Sequence, residues 1–106
     1  MSQTILVSNA DELSALQAKH PIHVLYFTTP TCNVCKSIFP KLEQAVAPYP
    51  FPIFKMDASS LESVAGQYLV FGVPTIIMMV DGKEALRENR YVEFSKIERM
   101  LSIVGD

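Results

Sequence analysis

Three short stretches of the chain, Ile22–Thr28, Phe51–Met56 and Thr75–Val80, are apolar at nearly every position and rich in β-branched and aromatic residues. Runs of that length and composition predict strands, and the first is continuous enough to be buried on both faces. Between them the apolar positions change period. Val34, Ile38, Leu42, Ala45 and Val46 fall on one helical face that should end by Pro48. Leu13 and Leu16 mark a shorter helix, opened by the capping box Asn9–Glu12 and closed by His20-Pro21. Ser59 and Glu62 form a second capping box, ahead of Leu61, Val64, Ala65 and Tyr68. Phe94, Ile97, Met100, Leu101 and Val104 predict a closing helix.

Residues 3–7 alternate weakly and predict one more strand, while Tyr49-Pro50-Phe51-Pro52 is a stiff connection. Asp81-Gly82 after Thr75–Val80 predicts a hairpin turn, with its second strand over Glu84–Tyr91. The resulting order is β-α-β-α-β-α-β-β-α. Strands separated by helices pair in parallel through right-handed crossovers, whereas a hairpin adds antiparallel strands. The expectation is an α/β domain with a mixed sheet of about five strands, flanked by four helices on both faces. At 106 residues the chain has room for one core, so residues 1–106 are read as a single domain.

Composition narrows the function. With 49% hydrophobic and 19% charged residues, the chain can bury a core, which excludes intrinsic disorder. A formal charge of −2 leaves no basic excess for a nucleic-acid backbone. The longest apolar run, Ile76–Val80, is far short of the roughly 20 residues a transmembrane helix needs. The first residues lack a basic segment followed by an apolar one, so no signal peptide is expected. These features predict a cytoplasmic protein with no membrane association. No Gly-rich phosphate loop, Ser–His–Asp set or paired carboxylates are legible.

The remaining chemistry lies in two cysteines, Cys32 and Cys35. In a reducing compartment, a close pair is more often catalytic or metal-binding than structural. Cys32 falls where a buried strand gives way to a helix, so unpaired N–H groups and the helix dipole favour its thiolate. Cys35, one turn inward, is the more protected partner. That arrangement supplies a nucleophile for a target disulfide and a second thiol to resolve the mixed disulfide.

Together these stretches resemble the thioredoxin family. The resemblance rests on Val24-Leu25-Tyr26-Phe27, Pro30-Thr31-Cys32-Asn33-Val34-Cys35-Lys36, Pro40, Met56-Asp57, Gly72-Val73-Pro74-Thr75 and the Asp81-Gly82 turn, at family spacing over nearly the whole chain. It implies a thioredoxin fold and a thiol–disulfide oxidoreductase, a protein-disulfide reductase in cell redox homeostasis. Cys32 and Cys35 would be catalytic, with Val73 and Pro74 binding substrate. The Val73–Pro74 bond would be cis and packed on the cysteine pair, leaving the Val73 backbone to pair with an extended substrate. The expected partners are disulfide-containing proteins and an upstream dithiol donor. No cofactor or metal is expected, and the chain should act as a monomer.

Departures from the family are informative. Asn33-Val34 stands where Gly-Pro is usual, Thr31 precedes the first cysteine, and the chain has no Trp. The family's buried acid falls at Tyr26 and its lysine partner near Ile53, so both charges are expected to be gone. Water or the Tyr26 hydroxyl would then receive the Cys35 proton. Arg90 or Tyr91 occupies a position the family keeps small, which should narrow the substrate groove. Two alternatives stand beside the enzyme: a non-catalytic interaction module, and a metal site formed by His20, His23 and the cysteines. Against the metal site, a strand over residues 22–28 would hold His23 roughly 17 Å from the end that leads to Cys32. Each histidine is read as a surface or loop residue.

Overall fold

Residues 3–105 are described by the structure, a computed structural model of the chain. Along the chain run β1 (Gln3–Leu6), α1 (Ala10–Lys19), β2 (Ile22–Thr28), α2 (Asn33–Val46), β3 (Pro52–Asp57), α3 (Glu62–Gln67), β4 (Thr75–Val80), β5 (Lys83–Glu88) and α4 (Phe94–Val104). The strands form one sheet in the order β1-β3-β2-β4-β5. β1, β3 and β2 are parallel, and β4 and β5 are antiparallel additions. Among the described residues, no helix is long and apolar enough to cross a membrane.

β2 is central because both of its faces are apolar. Leu25 and Phe27 join Phe54, Met56 and Ile77 in one core, closed by Leu13 of α1 and Val64 of α3. Val24 and Tyr26 point the other way, into a core with Ile53, Ile76 and Met78 that α2 and α4 close with Leu42, Val46, Ile97 and Leu101. Each fully buried aliphatic or aromatic side chain contributes about 1.5–3 kcal/mol relative to exposure. Met78 and Met79 are core filler.

Local signals mostly act as expected. Asn9 caps α1, its Oδ1 accepting from the Glu12 N–H at 2.8 Å, while Glu12 reaches back to the Ser8 N–H at 3.3 Å. Asp81 and Gly82 take positive φ values of 52° and 81°, as a tight hairpin turn requires; aspartate tolerates that region and glycine enters it freely. α2 continues through Pro40 to Val46.

Three expectations are corrected. Ser59 does not cap α3, which starts at Glu62 after Leu61 with no side-chain cap. Asp57 has captured Ser59 instead, its Oδ1 accepting from the Ser59 N–H at 2.9 Å and hydroxyl at 2.6 Å. Those bonds hold the Asp57 carboxyl below its usual range. β5 ends at Glu88 rather than Tyr91, because Glu88 turns back to accept from the Glu93 N–H at 2.8 Å ahead of α4.

His23 is the third correction. It is buried, not a surface residue, and stacks on Phe54 at 4.8 Å between ring centres. Its Nδ1 lies 2.8 Å from the His20 carbonyl, which can only accept, so Nε2 is left to accept from the Gln17 amide at 3.2 Å. Burial pushes the imidazole below its ordinary value; the bond to the His20 carbonyl opposes this, and the charge of His20 adds to it. The folded state therefore prefers the neutral ring. Its stabilising contribution is complete above the unfolded value of about 6.5 and is lost as pH falls below it. Urea midpoints measured from pH 7.5 down to 5 should fall in the native chain, and His23→Phe should flatten that fall. An unchanged slope in the variant would assign the acid sensitivity elsewhere.

Candidate active site

The sheet register builds the site. Thr28, the last residue of β2, pairs with Asp57 at the end of β3, and Phe27 pairs with Thr75 at the start of β4. Cys32, four residues past β2, and Val73-Pro74, just before β4, are therefore delivered to the same end of the sheet. That end lies beyond the carboxyl termini of the parallel strands. There the chain leaves β2 toward β3 on one side while β4 lies on the other, the usual place for a binding crevice in an open α/β sheet.

Cys32 is the N-cap of α2, and Cys32 and Cys35 are disulfide-bonded with Cα atoms 5.3 Å apart. The two sulfurs are not equivalent. The Cys32 Sγ is half-buried and accepts from the Cys35 N–H at 3.1 Å; Cys35 is 2% exposed. An amide already aimed at Cys32 from a helix N-terminus favours negative charge on that sulfur once the bond is reduced. The Cys32 N–H is itself tied to the Thr29 carbonyl at 3.2 Å.

Val73–Pro74 is a cis peptide, as the resemblance implied. Pro74 is buried, while Val73 is partly exposed and packs against both cores, including the one that contains Cys35. The Thr75 hydroxyl donates to the Gly72 carbonyl at 2.7 Å and holds the turn into β4.

Behind Cys35 opens a cleft of about 430 Å³, lined in part by Tyr26, Cys35, Phe39, Pro40, Lys55 and Asp57. The buried Tyr26 hydroxyl donates to the Cys35 carbonyl at 2.9 Å, and burial pushes the phenol above its ordinary value. Tyr26 thus stays a neutral donor rather than a base.

The expectation that both buried charges are gone is half wrong. Lys55, not Ile53, stands opposite Tyr26 in the β2–β3 register. Its ammonium lies 4.5 Å above the Phe39 ring, which stacks on Tyr26 at 5.1 Å. A lysine therefore persists on β3, with an aromatic face in place of a carboxylate. Its signal was visible: Lys55 is the one charged residue inside the apolar run Phe51–Met56.

The histidines lie elsewhere. Ile22 pairs with Val80, and the Asp81 N–H donates to the Pro21 carbonyl, so His20 and His23 sit at the hairpin end of β2, away from the cysteines.

The sequence model of the family Thioredoxin matches residues 3–104. A thioredoxin-like protein of Bacillus subtilis (strain 168), YdfQ, is 33% identical over 87 residues, covering 81% of this chain and 78% of that protein. Protein disulfide isomerase-like 1-2 of Oryza sativa subsp. japonica is 30% identical over 94 residues; the match covers 82% of this chain and only 18% of that longer protein. Among solved structures, a point mutant of thioredoxin from Halobacterium salinarum NRC-1 superposes with a TM-score of 0.87 at 18% identity, covering 98% of this chain and 92% of that one. That likeness concerns the fold.

Two outcomes follow from the geometry. In the reduced protein, iodoacetamide at neutral pH should alkylate Cys32 at least about tenfold faster than Cys35, as mass spectrometry of the labelled peptides can show. Equal labelling would contradict the asymmetry. Tyr26→Phe, which removes one buried hydrogen bond, should lower unfolding stability by about 1 kcal/mol in denaturant titrations.

Proposed function

The chain belongs to the thioredoxin family and is a thiol–disulfide oxidoreductase; from that premise we propose a protein-disulfide reductase in which Cys32 attacks and Cys35 resolves. The observation that carries the assignment of roles is the asymmetry of the pair, with an N–H aimed at the half-buried Cys32 Sγ and Cys35 enclosed behind it. The Cys32 thiolate attacks one sulfur of a target disulfide; an S–S bond forms to Cys32, and the other target sulfur leaves as a thiolate. Cys35 loses its proton and attacks the Cys32 Sγ, breaking the mixed disulfide. The target leaves with two thiols, two electrons richer, and Cys32–Cys35 is oxidised. An upstream dithiol donor then returns the pair to its reduced form.

Proximity favours the second step. Cys35 is held one helical turn from Cys32, so resolution is intramolecular and outruns attack on the mixed disulfide by thiols from solution. Target segments dock in an extended form against the Val73 backbone beside Pro74, with main-chain hydrogen bonds giving breadth of clients. The partial exposure of Val73 at the end of the sheet that carries the cysteines supports this. The reading is of a single domain, residues 1–106, acting as a monomer in the cytoplasm, where a dithiol donor is at hand.

The test is reduction of insulin disulfides with dithiothreitol as donor, followed by turbidity. The native chain should accelerate precipitation, and Cys32→Ser should abolish the acceleration. Cys35→Ser should accumulate a covalent protein–target disulfide that reducing agent releases. A Cys32→Ser variant as active as the native chain would overturn the assignment and favour a non-catalytic interaction module.

A further inference from the structure

Two open grooves meet at Val73. One, of about 380 Å³, is lined in part by Thr29, Ser59, Glu62, Val70, Phe71 and Val73. The other, of about 320 Å³, is lined in part by Leu69, Phe71, Val73, Pro74, Asn89 and Arg90. Phe71, Gly72 and Val73 border both, so they form a crest between them. Phe71 is 90% exposed, an unusual state for a phenylalanine on a small domain.

Each groove contains one charged side chain, and the signs are opposite. Glu62, in the first turn of α3, is exposed on one side, and Arg90, after β5, is exposed on the other. The Arg90 guanidinium lies 5.6 Å from the ring centre of Tyr91, itself 80% exposed, so the cation is backed by an aromatic face rather than cancelled by a carboxylate. The long Arg90 side chain charges the groove it lines.

The segment leading into the crest is also tied down. Arg87 of β5 donates to the Tyr68 carbonyl at 2.6 Å and the Leu69 carbonyl at 3.2 Å, while Glu84 grips the same guanidinium at 2.8 Å. Leu69 takes a positive φ of 56° at that point, turning the chain out of α3 toward Phe71. A crest anchored between two charged grooves discriminates between ligands better than a loose loop, because little ordering is left to complete on binding.

We propose that the crest selects extended substrate segments bearing opposite charges on the two sides of the reactive cysteine. The substrate's cation lies toward Glu62, its anion toward Arg90, and an apolar side chain rests on Phe71. This deepens the reductase reading above and rests on it. The substrates are thereby bipolar peptide segments, in preference to uniformly acidic, uniformly basic or neutral ones.

The test uses three synthetic peptides, each joined through its cysteine to 2-mercaptoethanol as a mixed disulfide. Two have identical composition, with lysine before and glutamate after the cysteine in one and the reverse in the other; the third is neutral. The reduced native chain is mixed with each, and peptide thiol release is followed by chromatography, the protein being oxidised to Cys32–Cys35 as each disulfide is reduced. One charged order should react about three- to tenfold faster than the other at low salt. The ratio should shrink toward one near 1 M salt. In the Glu62→Lys, Arg90→Glu double variant the favoured order should reverse; both residues are exposed, so the exchange leaves the cores untouched. Equal rates for the two orders, or a preference that survives the exchange, would overturn the charge reading alone. Failure to reduce even the neutral peptide would overturn the reductase reading and this proposal with it.

Discussion

β2 has no face left for water, and the rest of the molecule is arranged around that constraint. Val24 and Tyr26 fill one core and Leu25 and Phe27 the other, so both sides of the strand need helices and both edges need neighbouring strands. β3 supplies one edge in parallel and β4 the other antiparallel. A one-residue slip in either pairing would turn buried side chains to the wrong core. The strand's carboxyl end is thus held to a fixed height, and the loop to Cys32 starts from a fixed point. Active-site geometry here is a consequence of sheet register.

From that point the chemistry follows from how a helix begins. The first N–H groups of α2 have no partners within the helix, and Cys32 as N-cap places its sulfur among them, with the Cys35 N–H at 3.1 Å. The same turn carries Cys35 inward to the core beside Tyr26, whose hydroxyl secures the Cys35 carbonyl. A buried ion pair in this position would have to offset the desolvation of both charges. The stack of Tyr26, Phe39 and Lys55 avoids that cost on the strand side by putting a neutral phenol where an acid is usual. The lysine finds an aromatic face instead of a carboxylate.

Element order, the central strand, the hairpin turn and the cysteine positions were legible in the sequence, because each depends on a local pattern with a local cause. The period of apolar residues decides strand or helix, and Asp81-Gly82 decides the turn. What escaped depended on which of several partners a polar group would take. Ser59 could cap α3 or bond Asp57, and only the fold decided for Asp57. Glu88 closes β5 opposite Ile76, and its carboxylate serves the backbone ahead of α4 instead of letting the strand run on to Tyr91. The burial of His23 has no local signal, because its partners Gln17 and Phe54 come from different elements. The lysine position expected near Ile53 falls two residues on, at Lys55, for a similar reason: strand register is a tertiary fact, and Tyr26 meets Lys55 only once β2 and β3 are side by side.

The fold makes Cys32 and Cys35 a reversible two-electron couple, and the proposed reductase gives its electrons to other disulfides. Equilibration of the purified chain against a series of glutathione redox buffers, with acid quenching and thiol labelling to count Cys32–Cys35 disulfide, measures this directly. A reductase should show a single two-electron transition with a midpoint at or below about −230 mV, on the reducing side of the known oxidant members of this chemistry. A midpoint above about −180 mV, or no Cys32–Cys35 disulfide at any buffer ratio, would contradict it.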